Sequence, residues 1–460
     1  VYVQDTIVAP ATAPGQGAVA IVRLSGVRAL TILDSLWRPL RAGTKPEPRR
    51  MVLGEVIDPA TGAILDRAIA VRMPGPRTFT GEDVAELHCH GGTYLVRRIL
   101  GAAMAVGARM AEPGEFTRRA FLNGRIDLTE AEAIADLVAA RGEGALRLAL
   151  DQMTGLLGEK ITKLRGQLIS IRAHLEAEID FADEDIDLPG RGEIASSVES
   201  LAEDVAVLHQ SFVAGRIARE GARAVILGKP NAGKSSVLNL LLGIERSIVT
   251  AVPGTTRDVI EDSIQLGPLT LVLQDTAGVR ESTDEVESIG IARTFRSLAE
   301  ADLVLAVFDA SRPLDPDDAL VIERCHGRSG VALLNKCDLP PVIRPDDLRG
   351  AGLAMPIVPF SARRGDGLES LRTEIVRLAE EIAAPGVAAG VAISRERHRA
   401  ALGRALQALA AARESLKAAM PPEIVAVDIG AAADALGEIT GEIHSEDVLD
   451  VIFREFCIGK

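Results

Sequence analysis

Apolar and polar positions alternate in distinct regimes along the chain. Up to about residue 120, short apolar stretches such as Ala18–Leu24 and Ala68–Arg72 read as strands. Pro-Gly punctuation at Pro14-Gly15, Pro74-Gly75-Pro76 and Pro113-Gly114 separates them, which predicts a mixed α/β domain. From Leu128 to about Phe181, apolar residues recur at three- and four-residue spacing (Leu128, Ala131, Ala135, then Leu164, Leu168, Ile171, Leu175), the period of a helix. Thr129-Glu130 suits the start of that stretch. The acidic run Asp180–Asp187 ends in Pro189-Gly190 and reads as a solvated loop rather than a metal site, with a further helix over about Glu193–Arg219. Strand and helix then alternate, with strands expected at Ala222–Gly228, Leu269–Thr276, Leu303–Ala310, Val331–Lys336 and Met355–Ser361, the pattern of a doubly wound parallel sheet. Helical periodicity returns over Ile393–Met420 and Ile424–Leu436. The expected layout is an N-terminal domain at 1–121, a helical domain in two parts (122–220 and 384–460), and an α/β domain at 221–383 inserted between them.

Composition narrows the class. A chain of 460 residues exceeds one core, and 47% hydrophobic with 25% charged residues describes a globular protein. No apolar run reaches the ~18–20 residues that span a bilayer, and no charged-then-apolar leader opens the chain. Cys89, Cys325, Cys337 and Cys457 show no paired spacing, so a reduced, cytoplasmic setting is expected. A net charge of −14 argues against nonspecific coating of nucleic acid, while leaving room for RNA held by a local basic patch or a partner.

The densest chemistry lies where Ala222–Leu227 gives way to Gly228-Lys-Pro-Asn-Ala-Gly-Lys-Ser235 and then to the helix-like Ser236–Leu242. Strand, glycine loop and helix start are the setting of a phosphate loop. Gly228 and Gly233 let backbone N–H groups turn inward, and the helix start adds partial positive charge. Lys234 would reach the β- and γ-phosphates and Ser235 would take a position on Mg²⁺, with Asn231, Ala232, Gly233 and Ser236 completing the cradle. Downstream, Gly254-Thr-Thr-Arg-Asp258 supplies Thr256 to complete the Mg²⁺ shell. Asp275-Thr276-Ala277-Gly278 places Asp275 behind Mg²⁺ and the Gly278 N–H near the γ-phosphate. In Asn335-Lys336-Cys337-Asp338, the Asp338 carboxylate can accept two hydrogen bonds from guanine, a donor pair that adenine lacks. Ser361-Ala362-Arg363 would set backbone N–H groups near the guanine O6. In this order the motifs predict a GTP-binding domain. After Asp-x-x-Gly stands Val279, which cannot orient a water as a Gln does. Either hydrolysis is poor or another residue supplies the function, and Glu281, Asp284, Glu285 and Glu287 put carboxylates nearby.

The whole chain resembles the MnmE (TrmE) family of tRNA-modification GTPases. The likeness is carried by Asp5-Thr-Ile-Val-Ala9, Phe79-Thr-Gly-Glu-Asp83, His90-Gly-Gly92, Pro113-Gly-Glu-Phe116, Ala120-Phe-Leu-Asn123, the GTPase motifs and Cys457-Ile-Gly-Lys460. It implies a multidomain α/β plus all-α protein with a tetrahydrofolate-binding-like N-terminal domain that forms a homodimer, a helical domain, and an inserted Ras-like P-loop GTPase domain. It also implies a K⁺-stimulated GTP hydrolase that dimerises through its GTPase domains. With the flavoprotein MnmG, such proteins install an aminomethyl or carboxymethylaminomethyl group at carbon 5 of the tRNA wobble uridine, drawing on a 5-formyl or 5,10-methylene tetrahydrofolate. By motif matching, folate contacts fall on Arg23, Glu86, Arg125 and Lys460. The K⁺ shell falls on Asn231, Thr250, Val252 and Thr255, within a nucleotide-contacting loop that includes Ala251, Pro253 and Gly254. Glu287 matches the family's water-orienting glutamate, and the cation takes the role that Arg257 suggests. Cys457 reads either as a nucleophile or proton carrier toward the uridine or as a small apolar residue. His88, Cys89 and His90 would alternate faces on a strand and are not expected to hold a metal.

A rival reading is a regulatory GTPase of the Era/Der type that docks on RNA without modifying it; the N-terminal domain and the Cys-Ile-Gly-Lys tail favour the modifying enzyme. Glu287→Ala is expected to abolish GTP hydrolysis while nucleotide affinity stays nearly intact; turnover and equilibrium binding measured side by side check this, and lost binding would contradict a water-orienting role.

Overall fold

The computed structural model describes residues 5–41, 46–181, 188–244, 262–274, 298–387, 391–454 and 456–460. The chain divides into two units, Val1–Ala135 with Thr440–Lys460, and Asp136–Ile439.

In the first unit, strands β1 (Ile7–Pro10), β2 (Gly17–Ser25), β3 (Trp37–Pro39), β4 (Val52–Ile57), β5 (Ile64–Met73), β6 (Val84–Gly91) and β7 (Arg109–Met110) lie in the order β3-β4-β5-β6-β2-β1-β7. All pairings are antiparallel except β1 with β7. Alternation sorts the two faces. Ala20, Val22 and Leu24 of β2, with Ala85, Leu87 and Cys89 of β6, enter one core with helices Ala29–Leu36 and Thr93–Ala105. Arg23 and Glu86, opposed in register, take the other face. The acidic run 182–187 lies outside the described residues.

The sequence reading puts 122–220 and 384–460 together, whereas residues up to Ala135 and from Thr440 group with the N-terminal sheet. The reason is a helix the periodicity did not single out, Glu446–Arg454. Its Leu449, Ile452 and Phe453 pack with Leu128 and Ala131, and with the partly buried Phe121. Arg118 holds its polar side through Asp450 (2.9 Å) and Glu446.

The helical stretch from Leu128 proves to be three helices: Leu128–Ala139, which belongs to the first unit as far as Ala135, then Glu143–Met153 and Leu156–Asp180 in the second unit, the last entered through Gly155 at φ 79°. The single helix expected over Glu193–Arg219 is two, Arg191–Gln210 and Phe212–Glu220. Ser211 makes the break: its hydroxyl donates to the Leu208 carbonyl (2.7 Å) and accepts from the Ile393 N–H (3.1 Å). Helices Glu396–Lys417 and Pro422–Thr440 complete a bundle whose core joins Leu164, Leu168 and Leu175 with Val205, Leu402, Leu409 and Leu436.

Strands β8 (Ala222–Leu227), β9 (Asp262–Leu266), β10 (Leu269–Gln274), β11 (Leu303–Asp309), β12 (Gly330–Asn335) and β13 (Ile357–Pro359) form a sheet in the order β13-β12-β11-β8-β10-β9 among the described residues. It is parallel apart from β9, an antiparallel edge strand not anticipated. Every residue of β11 is buried, as both faces of a parallel sheet are covered. Leu305 and Val307 meet the side of helix Leu368–Val387, and Val304, Ala306 and Phe308 that of helix Pro316–Cys325. The carboxyl ends of β8, β12 and β13 therefore open into Gly228–Ser235, Asn335–Asp338 and Ser361–Arg363, where α/β sheets bind ligands. Among the described residues no helix is long and apolar enough to cross a membrane.

Candidate functional site

Backbone geometry shapes the loop after β8. Gly228 has φ 154°, and a Cβ there would lie 2.5 Å from the Val307 carbonyl oxygen; Gly233 has φ 103°, and its Cβ would collide with the Asn335 amide nitrogen. Both positions exclude a side chain, so the loop closes onto the sheet end. Asn231, also left-handed at φ 61°, turns the chain between them. Lys234 opens the helix Lys234–Ile244. Its ammonium donates to the carbonyls of Gly228 (2.8 Å) and Lys229 (2.9 Å). Burial lowers its pKa from the usual lysine value. A half-buried ammonium held by neutral carbonyls at a helix start suits a phosphate. Ser235 and Ser236 stand exposed beside it, and Ala232 is buried beneath.

The second loop is stitched to the first. Asn335 is 2% exposed; its amide nitrogen donates to the Ala232 carbonyl (2.9 Å), and its amide oxygen accepts from the Ala362 N–H (3.0 Å). Lys336 donates to the Asn231 carbonyl (3.0 Å) and to Asp309 (2.6 Å). Asp309, itself buried, accepts from the Ser311 N–H and hydroxyl; against the cost of burial, Lys336 and Ser311 hold its pKa below the usual carboxylate value. Asp338 is half-buried and accepts from the Ser361 hydroxyl (2.8 Å). That bond, helped by the field of Arg364 and Arg363, lowers its pKa. An ionised carboxylate with free lone pairs can accept from an N–H and an amine together. The Cys337 N–H goes to the Phe360 carbonyl, which ties this loop to the strand end that carries Ser361.

Asn231, Ala232, Gly233, Lys234, Ser235, Asn335, Lys336, Cys337, Asp338, Ser361, Ala362 and Arg363 thus lie in or at the edges of the loops at one end of the sheet. Thr250, Ala251, Val252, Pro253, Gly254, Thr255, Thr256, Asp275, Thr276, Ala277, Gly278 and Glu287 lie outside the described residues. Asp309 is a structural member of the site that sequence reasoning missed. Its signal was there: a lone carboxylate closing the apolar run of β11, in register with Asn335. An apolar cavity of about 470 Å³ lies elsewhere, lined by Leu148, Leu156, Ile217, Leu269 and Val376, none of them in these loops.

A second cluster occupies the polar face of the first unit. Arg23 Nε donates to one Glu86 oxygen (2.8 Å), and the His88 ring meets the other (3.0 Å). The Arg23 guanidinium lies 5.9 Å from the centre of the Phe116 ring, whose backbone N–H donates to the Lys460 carbonyl (3.2 Å). Burial lowers the Lys460 pKa; nearby Cys457 opposes that and Arg23 adds to it. Arg125 is placed beside Gly81 rather than in this hydrogen-bonded chain. The Phe79–Asp83 turn is locked by Thr80, which meets the Ser25 hydroxyl (2.7 Å) and accepts from Asn123 (2.7 Å). Cys457 is exposed, so it is not a core residue, and its carbonyl accepts from the Lys460 N–H (3.2 Å). Cys89 faces the core, where burial raises its thiol pKa to about 11, while His90 pairs with Asp66 at 2.8 Å.

A parallel sheet whose phosphate loop is bonded directly to an Asn-Lys-x-Asp loop defines the class: a phosphate-loop GTP-binding protein. Family models narrow it further, since residues 128–457 match the MnmE helical domain and residues 6–125 match the GTP-binding protein TrmE N-terminus. A relative from Geobacter sulfurreducens, named tRNA modification GTPase MnmE, is 45% identical over 460 residues and covers 100% of both chains. Relatives of the same name from Natranaerobius thermophilus (42% identical, 99% of this chain and 100% of that one) and Syntrophotalea carbinolica (45%, 99% of each) agree. The chain belongs to the MnmE family of tRNA modification GTPases.

If Asp338 reads the base, Asp338→Asn shifts preference from guanine toward xanthine nucleotides. Competition binding with GDP and XDP checks this; unchanged guanine selectivity would refute it.

Proposed function

We propose that this chain hydrolyses GTP and couples the hydrolysis to modification of carbon 5 of the tRNA wobble uridine. The observation that supports the GTPase half is the double hydrogen bond of Asn335, which joins the Gly228–Ser235 loop to the Ser361–Arg363 loop, whose Ser361 holds Asp338. Family membership supports the tRNA half. In this reading the N–H groups of Asn231–Ser236 and the Lys234 ammonium hold the β- and γ-phosphates. Ser235, with Thr256, would hold Mg²⁺, which neutralises phosphate charge when bound. Asn231, with Thr250, Val252 and Thr255, would hold K⁺, whose charge substitutes for an arginine finger. Glu287 would orient the attacking water.

The N-terminal cluster fits a reduced folate. Each Glu86 oxygen already has one partner yet keeps a lone pair for an aminopyrimidine edge. The charge of Arg23 bears on Lys460, an adjacency that an anionic ligand relieves. Arg125 would join them from the Gly81 turn. The folate would supply the one-carbon unit as its 5-formyl or 5,10-methylene form, with Cys457 near enough to Lys460 to serve proton or nucleophile chemistry. The homodimer through the N-terminal domain, the MnmG partnership and the cytoplasmic setting belong to the same proposal.

GTP turnover is expected to be several-fold faster in KCl than in NaCl at equal ionic strength. Equal rates, with no association of the GTPase domains under a GTP analogue, would count against the K⁺ mechanism. Mass spectrometry of tRNA from cells lacking the protein should show wobble uridines without the carbon-5 substituent; intact modification would leave only a nucleotide switch.

A further inference from the structure

We propose that Lys229, a loop residue with no assigned role, is a positioning residue for the nucleotide: an ion-paired strap that fixes the entrance limb of the phosphate loop. The inference rests on the GTP-binding reading of that loop. Lys229 Nζ donates to Asp315 (2.7 Å) and Asp318 (2.6 Å), and its side chain is 10% exposed. The same residue's carbonyl accepts from the Lys234 ammonium (2.9 Å), so whatever holds Lys229 also holds the group that would meet the phosphates.

The anchor is built before the lysine reaches it. Asp315 caps helix Pro316–Cys325 and accepts from the N–H groups of Asp317 (3.0 Å) and Asp318 (3.1 Å), while Asp318 accepts from the Asp315 N–H (3.2 Å). This reciprocal box fixes both carboxylates. Asp318 is 3% exposed at its side chain, and among the described residues its second oxygen is buried without a hydrogen-bond partner. Lys229 therefore also supplies the countercharge for a buried carboxylate. Burial works against the Lys229 charge, yet its bonds to Asp315 and Asp318 leave its pKa above the usual lysine value. Further round the loop, the Lys336 ammonium bridges the Asn231 carbonyl to Asp309. The loop is thus gripped at Lys229 from the segment that follows β11, and at Asn231 by Lys336 just after β12, itself paired with the last residue of β11. Such a grip lowers the ordering cost that phosphate binding would otherwise meet.

A plainer role, neutralising Asp318 and nothing more, makes a different prediction. Lys229→Met is expected to weaken binding of a fluorescent GDP about tenfold and to raise KM for GTP in parallel, with a smaller change in kcat. The double variant Lys229→Met with Asp318→Asn should recover the melting temperature, because no buried charge is left unpaired, but not the affinity. Lys229→Arg should recover most of the affinity. Wild-type affinity in the folded single or double variant would overturn the strap. Lys234→Ala is the reference: if it too binds GDP like the wild type, the GTP-binding reading fails, and not the strap alone.

Discussion

The amide of Asn335 is the joint on which the nucleotide site depends. One end of it holds the phosphate loop and the other holds the loop after β13, across strands that are far apart in sequence. Each bond is worth only about 1 kcal/mol net, but a buried amide left without partners costs about 1–3 kcal/mol. The side chain is almost wholly buried, so the larger figure governs. Gly233 makes the joint possible, since any Cβ there would occupy the space of the Asn335 nitrogen. Asn335 is thus first of all a structural tie.

Much of this was legible in the chain. The loops announced themselves because glycine, asparagine and lysine at fixed spacing have few other reasons to follow an apolar strand. Strand positions in the nucleotide domain were legible because a parallel sheet buries both faces, leaving runs such as Leu303–Asp309 almost free of charge. What stayed hidden was set by tertiary partners. The break at Ser211 depends on a hydroxyl reaching Ile393, from a segment on the far side of the inserted domain. Helix Glu446–Arg454 is short, and its apolar face makes sense only beside Leu128 and Ala131. The ion pairs of Lys229 needed the fold to bring Asp315 and Asp318 to it. Edge strand β9 is half polar and carries no run that would mark it.

The N-terminal cluster shows how one sheet serves two ends. Strands β2 and β6 alternate, giving every second residue to a core of Val22, Leu24, Ala85 and Leu87. The intervening positions carry Arg23, Glu86 and His88, whose mutual bonds keep a guanidinium, a carboxylate and an imidazole aligned on the opposite face. Packing and polar chemistry are thus kept apart by the pleat itself, so the polar face can be elaborated without disturbing the core.

The closing of residues 440–460 onto the first unit carries a consequence for biogenesis. Gly459 packs so tightly on the Pro10 carbonyl that no side chain would fit, and the Lys460 carbonyl accepts from Phe116. On the ribosome, all of Asp136–Ile439 is made before that segment emerges. Until then the nascent chain presents Phe121, Leu128 and Ala131 without their covering helix. The first unit to be translated is therefore the last to be finished, and a chaperone that shields apolar helix faces would find its client there.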